Sequence, residues 1–319
     1  MGKRLVIPDT DLEVSPLCYG LATFGTVIGQ PEADRLYEAF RAAGGNFFDT
    51  AHCYAFWVDG GLGASERTLG NCLRRCHDRK EVVISTKGGY FSAGARYPRP
   101  DRYIAPATIA SDIDESLERM GIDRIDLYYL HRDDPRLPAG EIVEMLNAEI
   151  ARGRIRHLGA SNWSTERIAQ ANEYAAARGL RGFVVSQPQW NLAHPNPALW
   201  QADATIKALS DRDVQWHAAR RLAVMAYSST ACGYFATDGK SAKETFDNPV
   251  SRGRLERAKE LARRLGCTPN QIALAYLMNH DFPVIPILGT TKLPHLQDGL
   301  GAQAVRLDAR QVRWLRDGA

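Results

Sequence analysis

The chain of 319 residues is short of several features that would place it at once. No apolar run approaches the ~20 residues needed to cross a bilayer, so a membrane-spanning protein is not expected. The Met-Gly-Lys-Arg start leads into no apolar stretch of signal-peptide length, and Val6 breaks the myristoylation pattern, so a cytoplasmic location is expected. Net charge is only +3, with arginines scattered as Arg74-Arg75, Arg220-Arg221 and Arg263-Arg264; no basic stripe points to nucleic acid. The six cysteines, at 18, 53, 72, 76, 232 and 267, form no CxxC pair. Cys72 and Cys76, spaced to share a helix face with His77 beside the second, read as small buried thiols on an amphipathic helix, and no metal site is expected. A complete dinucleotide fingerprint is missing too. Gly61-Leu62-Gly63-Ala64-Ser65-Glu66 lacks the third glycine and follows no strand.

What is present is a repeat of strands and helices, with 45% apolar residues and 24% charged, enough to bury a full core. Arg4–Val14 alternates around Pro8-Asp9-Thr10-Asp11 and reads as a β-hairpin capping one end of the fold. From Leu17–Gly20 onward, short apolar runs alternate with helical periodicity. Strands are expected at 46–50, 82–86, 125–130, 155–160, 182–186, 222–226 and 284–288. Helices are expected at 31–43, 65–75, 106–120, 139–152, 165–177, near 197–209, within 253–265 and 269–279, from about 294, and at 308–316. Strands apolar throughout, separated by helices, imply parallel pairing covered on both faces. Eight such units imply closure into a (β/α)8 TIM barrel as one domain, 1–319, with an N-terminal β-hairpin and extra C-terminal helices.

Three consecutive strands of this repeat end in ionisable residues. Asn46–Thr50 delivers Asp49, with Tyr54 just beyond; Val82–Thr86 leads into Lys87; Ile125–Leu130 leads into His131. Each alone reads equally well as a turn cap, a solvated strand end or a loop aromatic. Together they occupy the strand ends where barrel chemistry is built. A lysine cation should lower a tyrosine pKa from its usual ~10. An aspartate would hold that lysine charged. A histidine could hydrogen-bond a carbonyl oxygen and polarise it.

The order Asp49, Tyr54, Lys87, His131 resembles the catalytic tetrad of the aldo-keto reductase superfamily. So do Asp49-Thr50-Ala51, Ser65-Glu66 before Leu69-Gly70, Ser85-Thr86-Lys87, Ser116-Leu117, Ile125-Asp126-Leu127-Tyr128 and Gly159-Ala160-Ser161-Asn162. The resemblance covers nearly the whole chain. It implies a nicotinamide cofactor lying over the mouth, with Tyr54 as proton donor, Asp49 and Lys87 as its tuning pair and His131 as orienter. Ser161, Asn162 and Gln187 would hold the carboxamide, and Tyr227 would stack on the ring. Ser228 would meet the pyrophosphate, with the loop 230–249 folded over it, while Thr23, Phe24 and Asp49 would border the cofactor. Gly289, Thr290, Thr291, Lys292 and His295 would grip a 2′-phosphate, so NADPH is expected over NADH. There are departures from the family pattern. Ala22 replaces a frequent glycine, Asp298-Gly299 lacks the asparagine the family carries near adenine, and 55–64 looks inserted after Tyr54.

Substrate choice on a barrel belongs to its loops. Phe24, Phe56, Trp57, Trp163 and Trp190 read either as an aromatic wall suited to a sugar, a cyclitol or a flat aromatic aldehyde, or as packing that only shields the hydride path. The loop 88–105, with Tyr90, Phe91, Arg96, Arg99 and Arg102, reads either as an anion-binding element or as a solvated surface. Three functions stay open at this point: reduction of an aldehyde or ketone, oxidation of a sugar or cyclitol alcohol, and a cofactor-sensing subunit with little turnover. The partner expected in each is a small molecule.

Overall fold

The computed structural model describes residues 4–318. Eight parallel strands close into a barrel: β3 (Cys18–Gly20), β4 (Phe47–Asp49), β5 (Val83–Gly88), β6 (Ile125–Leu130), β7 (Ile155–Ser161), β8 (Phe183–Gln187), β9 (Ala223–Ala226) and β10 (Val284–Leu288). Closure is made where β10 pairs β3, Ile287 beside Cys18. A two-stranded antiparallel hairpin, β1 (Leu5–Val6) with β2 (Glu13–Val14), precedes the barrel. Its Ile7, Leu12 and Val14 join the same buried cluster as the barrel-interior residues Cys18, Phe47, Val83, Leu127 and Ile285, so the hairpin plugs one end. Burying each such side chain contributes roughly 1.5–3 kcal/mol.

Residues of opposite parity on the same strands face the helices and build the larger outer core, as Tyr19, Phe48, Ile84, Tyr128 and Leu158 do. The covering helices are α1 (Gln30–Ala42), α2 (Ala64–Cys76), α3 (Pro106–Met120), α4 (Ala139–Ala151) and α5 (Thr165–Ala177). After β8 come α6 (Ala198–Ala202) and α7 (Asp211–Arg220), and after β9 come α8 (Lys243–Phe246), α9 (Pro249–Leu265) and α10 (Pro269–Met278). The chain ends with α11 (Leu293–Gly301) and α12 (Ala309–Asp317). No helix among the described residues is long and apolar enough to cross a membrane.

One expected helix is displaced. The region near 197–209 forms only the short α6 and an irregular run, and the covering helix after β8 is α7. Its start is fixed by Ser210, whose hydroxyl accepts from Asp213 N while Asp213 Oδ2 accepts from Ser210 N, a reciprocal cap. Inside the barrel, Tyr129 crosses towards Met225, and its ring lies 2.3 Å from where a Cβ at Gly159 would stand. Only glycine fits there.

Candidate active site

The C-terminal end of β4 sets the geometry. Asp49 pairs with Ser85 in register, which brings the ends of β4 and β5 side by side. Lys87, on β5 and 1% exposed, reaches across and spends all three of its N–H donors. They go to Asp49 Oδ2 at 2.5 Å, Thr50 O at 2.7 Å and Tyr54 Oη at 3.0 Å. Asp49 Oδ1 accepts from Ser85 Oγ at 2.7 Å and from Gln187 Nε2 at 3.1 Å, so the carboxylate is fixed from two strands. Burial pulls the Lys87 ammonium down, but Asp49 and then Tyr54 overcome it and hold it above its ordinary value.

Tyr54 departs from the sequence expectation in one respect. Lys87 does favour its phenolate, yet burial is the larger influence, and the net shift of the phenol is upward from 10. His131 closes the group, with its ring edge-on to Tyr54 at 5.8 Å between centroids. Burial, then Arg132 and Lys87, push its imidazolium well down, so the ring is neutral. Asp49, Tyr54, Lys87 and His131 thus meet at one end of the barrel.

The segment after Tyr54 is bolted down from below. Ser65 Oγ donates to Leu21 O at 2.7 Å, and buried Glu66 accepts from Thr86 Oγ1 at 2.7 Å and Arg119 Nη1 at 3.1 Å. His52, buried in the same turn, contacts Tyr97 Oη and Glu115 Oε2, each at 2.9 Å. Burial drives its pKa down to about 4.

A cavity of about 340 Å³ lies over Asp49, Tyr54 and His131 and is bordered by Ser161, Asn162, Gln187, Tyr227 and Ser228. Asn162, held at φ 60°, accepts from Tyr227 Oη at 2.7 Å. A second cavity of about 840 Å³ shares Thr230, Cys232 and Gly289 with the first and extends along Thr290, Thr291, His295 and Asp298. Phe235 to Asp238 of the loop after β9 also border it. Lys292 lies outside that lining, exposed at the N-cap of α11. The amide missing at position 299 is matched by one from another helix. Asn270 borders the second cavity and donates to Asp298 Oδ2 at 2.7 Å.

The aromatic wall is built differently from the expectation. Phe24, Trp163 and Trp190 do not border the cavity over the tetrad. Phe24 is fully buried edge-on to Tyr19, and Trp163, 3% exposed, packs on Phe183 in the outer core. Trp163 immediately precedes the cap Ser164 of α5, where an apolar side chain turns back onto the helix as a staple; Ile168, in the same cluster, is its counterpart. Trp190 packs against Tyr276, His280 and Phe282. Thr23 also stays out of the lining, its carbonyl accepting from Thr26 and Ile28, while Leu21 and Ala22 border the cavity.

Phe56, Trp57 and Tyr90 do not border that cavity either; they gather beside Tyr54 and His131 from the 55–64 segment and the loop after β5. Trp57 lies 6.2 Å from Tyr54 and 5.4 Å from Phe56, and Tyr90 lies 5.0 Å from His131. Arg132 lines the cavity and stacks over Tyr90 at 5.0 Å. The sequence placed Tyr90 in the 88–105 loop but could not aim it at His131, because a loop has no periodicity. The loop arginines are already engaged. Arg96 pairs with Asp59 and Arg102 with Glu141 at the surface, and Arg99 pairs with buried Asp112.

A family model described as the aldo/keto reductase family matches residues 16–317. The chain is similar to norsolorinic acid reductase B of Dothistroma septosporum, 28% identical over 98% of this chain and 80% of that protein. It is similar to the uncharacterized oxidoreductase YrpG of Bacillus subtilis, 28% identical over 97% of this chain and 93% of the relative. It also matches an NADP(+) aryl-alcohol dehydrogenase of Phanerodontia chrysosporium, 26% identical over 98% and 85% respectively.

Proposed function

The chain belongs to the aldo/keto reductase family, and on that premise we propose that it reduces aromatic aldehydes or ketones with NADPH, Tyr54 giving the proton. The observation that carries this reading is the direction of one hydrogen bond. Lys87 Nζ, fully committed as a donor, donates to Tyr54 Oη, so the phenol's own proton is free to point into the cavity. Burial keeps that proton on the phenol through neutral pH, as a general acid for carbonyl reduction requires. Once the proton leaves, the Lys87 ammonium 3.0 Å away stabilises the phenolate, and Asp49 keeps Lys87 charged and in place. Neutral His131 offers its ring to the carbonyl oxygen. General-acid help of this kind contributes roughly 10²–10⁴ in rate.

The donor set fits a nicotinamide cofactor. Ser161, Asn162 and Gln187 supply hydroxyl and amide groups beside Asp49, Tyr227 supplies an aromatic face, and the second cavity lengthens the site. When bound, the reduced nicotinamide supplies the hydride. Thr290, Thr291 and His295, which border the second cavity, and the exposed Lys292 beside them would hold a 2′-phosphate in this reading, which is the support for NADPH over NADH. The aromatic substrate class rests on the cluster of Phe56, Trp57 and Tyr90 beside Tyr54 and His131, and the name of the aryl-alcohol relative agrees with it.

The test is absorbance loss of NADPH or NADH in the presence of aryl aldehydes, aryl ketones, aliphatic aldehydes and sugars. Fastest consumption is expected with NADPH and an aryl carbonyl. Tight cofactor binding with no consumption across the panel would instead leave a cofactor-binding protein.

A further inference from the structure

The turn that carries Tyr54 brings a second side chain into the site. Tyr54 N donates to Ala51 O at 3.1 Å and His52 N to Lys87 O at 2.9 Å, so residues 51–54 form a turn pinned to β5. In that turn Cys53 is buried, and its Sγ lies 3.3 Å from His131 Nδ1. Among the described residues, no other group hydrogen-bonds either imidazole nitrogen of His131. The ring borders the cavity over the tetrad and Cys53 does not, so the nitrogen facing Cys53 is the one turned away from the substrate side.

We propose that Cys53 is a positioning residue that holds His131 in its Nε2–H tautomer, with the ring proton presented to the cavity. Two arrangements are compatible with a 3.3 Å contact: S–H donating to Nδ1, or Nδ1–H donating to sulfur. Both groups are uncharged. Burial pushes the thiol up to about 12, and burial with the nearby Arg132 and Lys87 keeps the ring neutral. Sulfur is both a weak donor and a weak acceptor, but the buried thiol proton has no acceptor other than Nδ1 among the described residues, and only S–H···Nδ1 satisfies it. With Nδ1 occupied as an acceptor, the single ring proton resides on Nε2. This matters for the function proposed above, on which the catalytic half of the inference rests. A carbonyl oxygen only accepts hydrogen bonds, and the other tautomer would present it with a lone pair.

The experiment reads the tautomer directly. Long-range ¹H–¹⁵N spectra of the imidazoles are recorded for the cofactor-free protein, with the His131 signals assigned by their absence in His131→Gln. The expected wild-type pattern is a pyridine-like Nδ1 and a pyrrole-like Nε2. Cys53→Ala should mix the two tautomers, and Cys53→Ser, which restores a hydroxyl donor, should move the pattern back towards wild type. In turnover, Cys53→Ala should lower kcat roughly three- to tenfold with KM little changed, the span of one neutral hydrogen bond. A wild-type pyrrole-like Nδ1 overturns the proposal, and so does an alanine or serine variant that leaves the expected order unmet. A tautomer that depends on Cys53 together with a kcat that does not supports the positioning role and overturns His131 as the orienter, so the two failures are told apart.

Discussion

Lys87 Nζ lies 2.5 Å from Asp49 Oδ2, and both side chains are almost wholly removed from solvent. A buried pair of this kind is worth little compared with apolar packing, but breaking it by removing one partner costs roughly 3–5 kcal/mol, because the other charge is stranded. Asp49→Asn and Lys87→Met should therefore each lower stability by about that amount. The double variant should lose less than the sum of the two. Urea unfolding of all four proteins checks this, and strictly additive losses would mean the two charges are not coupled.

The two tryptophan environments predict opposite behaviour. Trp163→Ala empties a packed site beside Phe183 and should cost about 3–5 kcal/mol of stability while leaving the ranking of substrates unchanged. Trp57, 45% exposed beside Tyr54, should do the reverse: Trp57→Ala leaves the melting temperature nearly unchanged and raises KM for aryl carbonyls roughly two- to tenfold. Thermal melts beside KM values for aryl and aliphatic aldehydes decide it. A substrate ranking altered by Trp163→Ala would put that indole back in the pocket.

Those residues also mark how far the sequence could be read. Alternating buried strands and helices carry the barrel, and single ionisable residues after apolar runs carry Asp49, Lys87 and His131, because both patterns are local. The hairpin was equally legible. Side-chain direction beyond a strand end was not. Asn162 at φ 60° reverses the chain, so Trp163 turns into the outer core despite following a cavity residue. Tyr90 reaches His131 from a loop whose path is set by long-range contacts such as Arg99 to Asp112. The net rise in the Tyr54 pKa depends on burial, which adjacency to a lysine does not reveal. The α7 start was present in Ser210-Asp211-Arg212-Asp213, but a proline at 197 suggested an earlier helix.

Acid stability should be limited in part by His280, which sits among Trp190, Tyr276 and Phe282 with Nε2 lacking a hydrogen-bond partner. Burial lowers its pKa from 6.5 to about 4. The folded state thus favours the neutral ring, and the stability it contributes is present above pH 6.5 and lost as pH falls towards 4. That loss amounts to about 3 kcal/mol at one pKa unit per 1.36 kcal/mol. His280→Phe should match wild type at pH 7 and unfold less readily at pH 4.5. Parallel pH–stability curves would show that His280 is not titrating in the folded protein.

The proposed preference for NADPH rests on the segment after β10. Lys292→Ala should weaken NADPH roughly tenfold, as loss of a charge-assisted contact does, and leave NADH within a factor of about two. Quenching of tryptophan fluorescence gives both dissociation constants. Equal weakening of the two cofactors would mean that Lys292 does not face the 2′-phosphate.

Tyr54→Phe tests the central claim most directly. The ring, its contact with Trp57 and its edge to His131 are kept, and only the hydroxyl that Lys87 contacts at 3.0 Å is lost. The account predicts NADPH binding within about twofold of wild type and a fall in kcat for carbonyl reduction of roughly 10²–10⁴. Undiminished turnover by this variant would contradict Tyr54 as the proton donor.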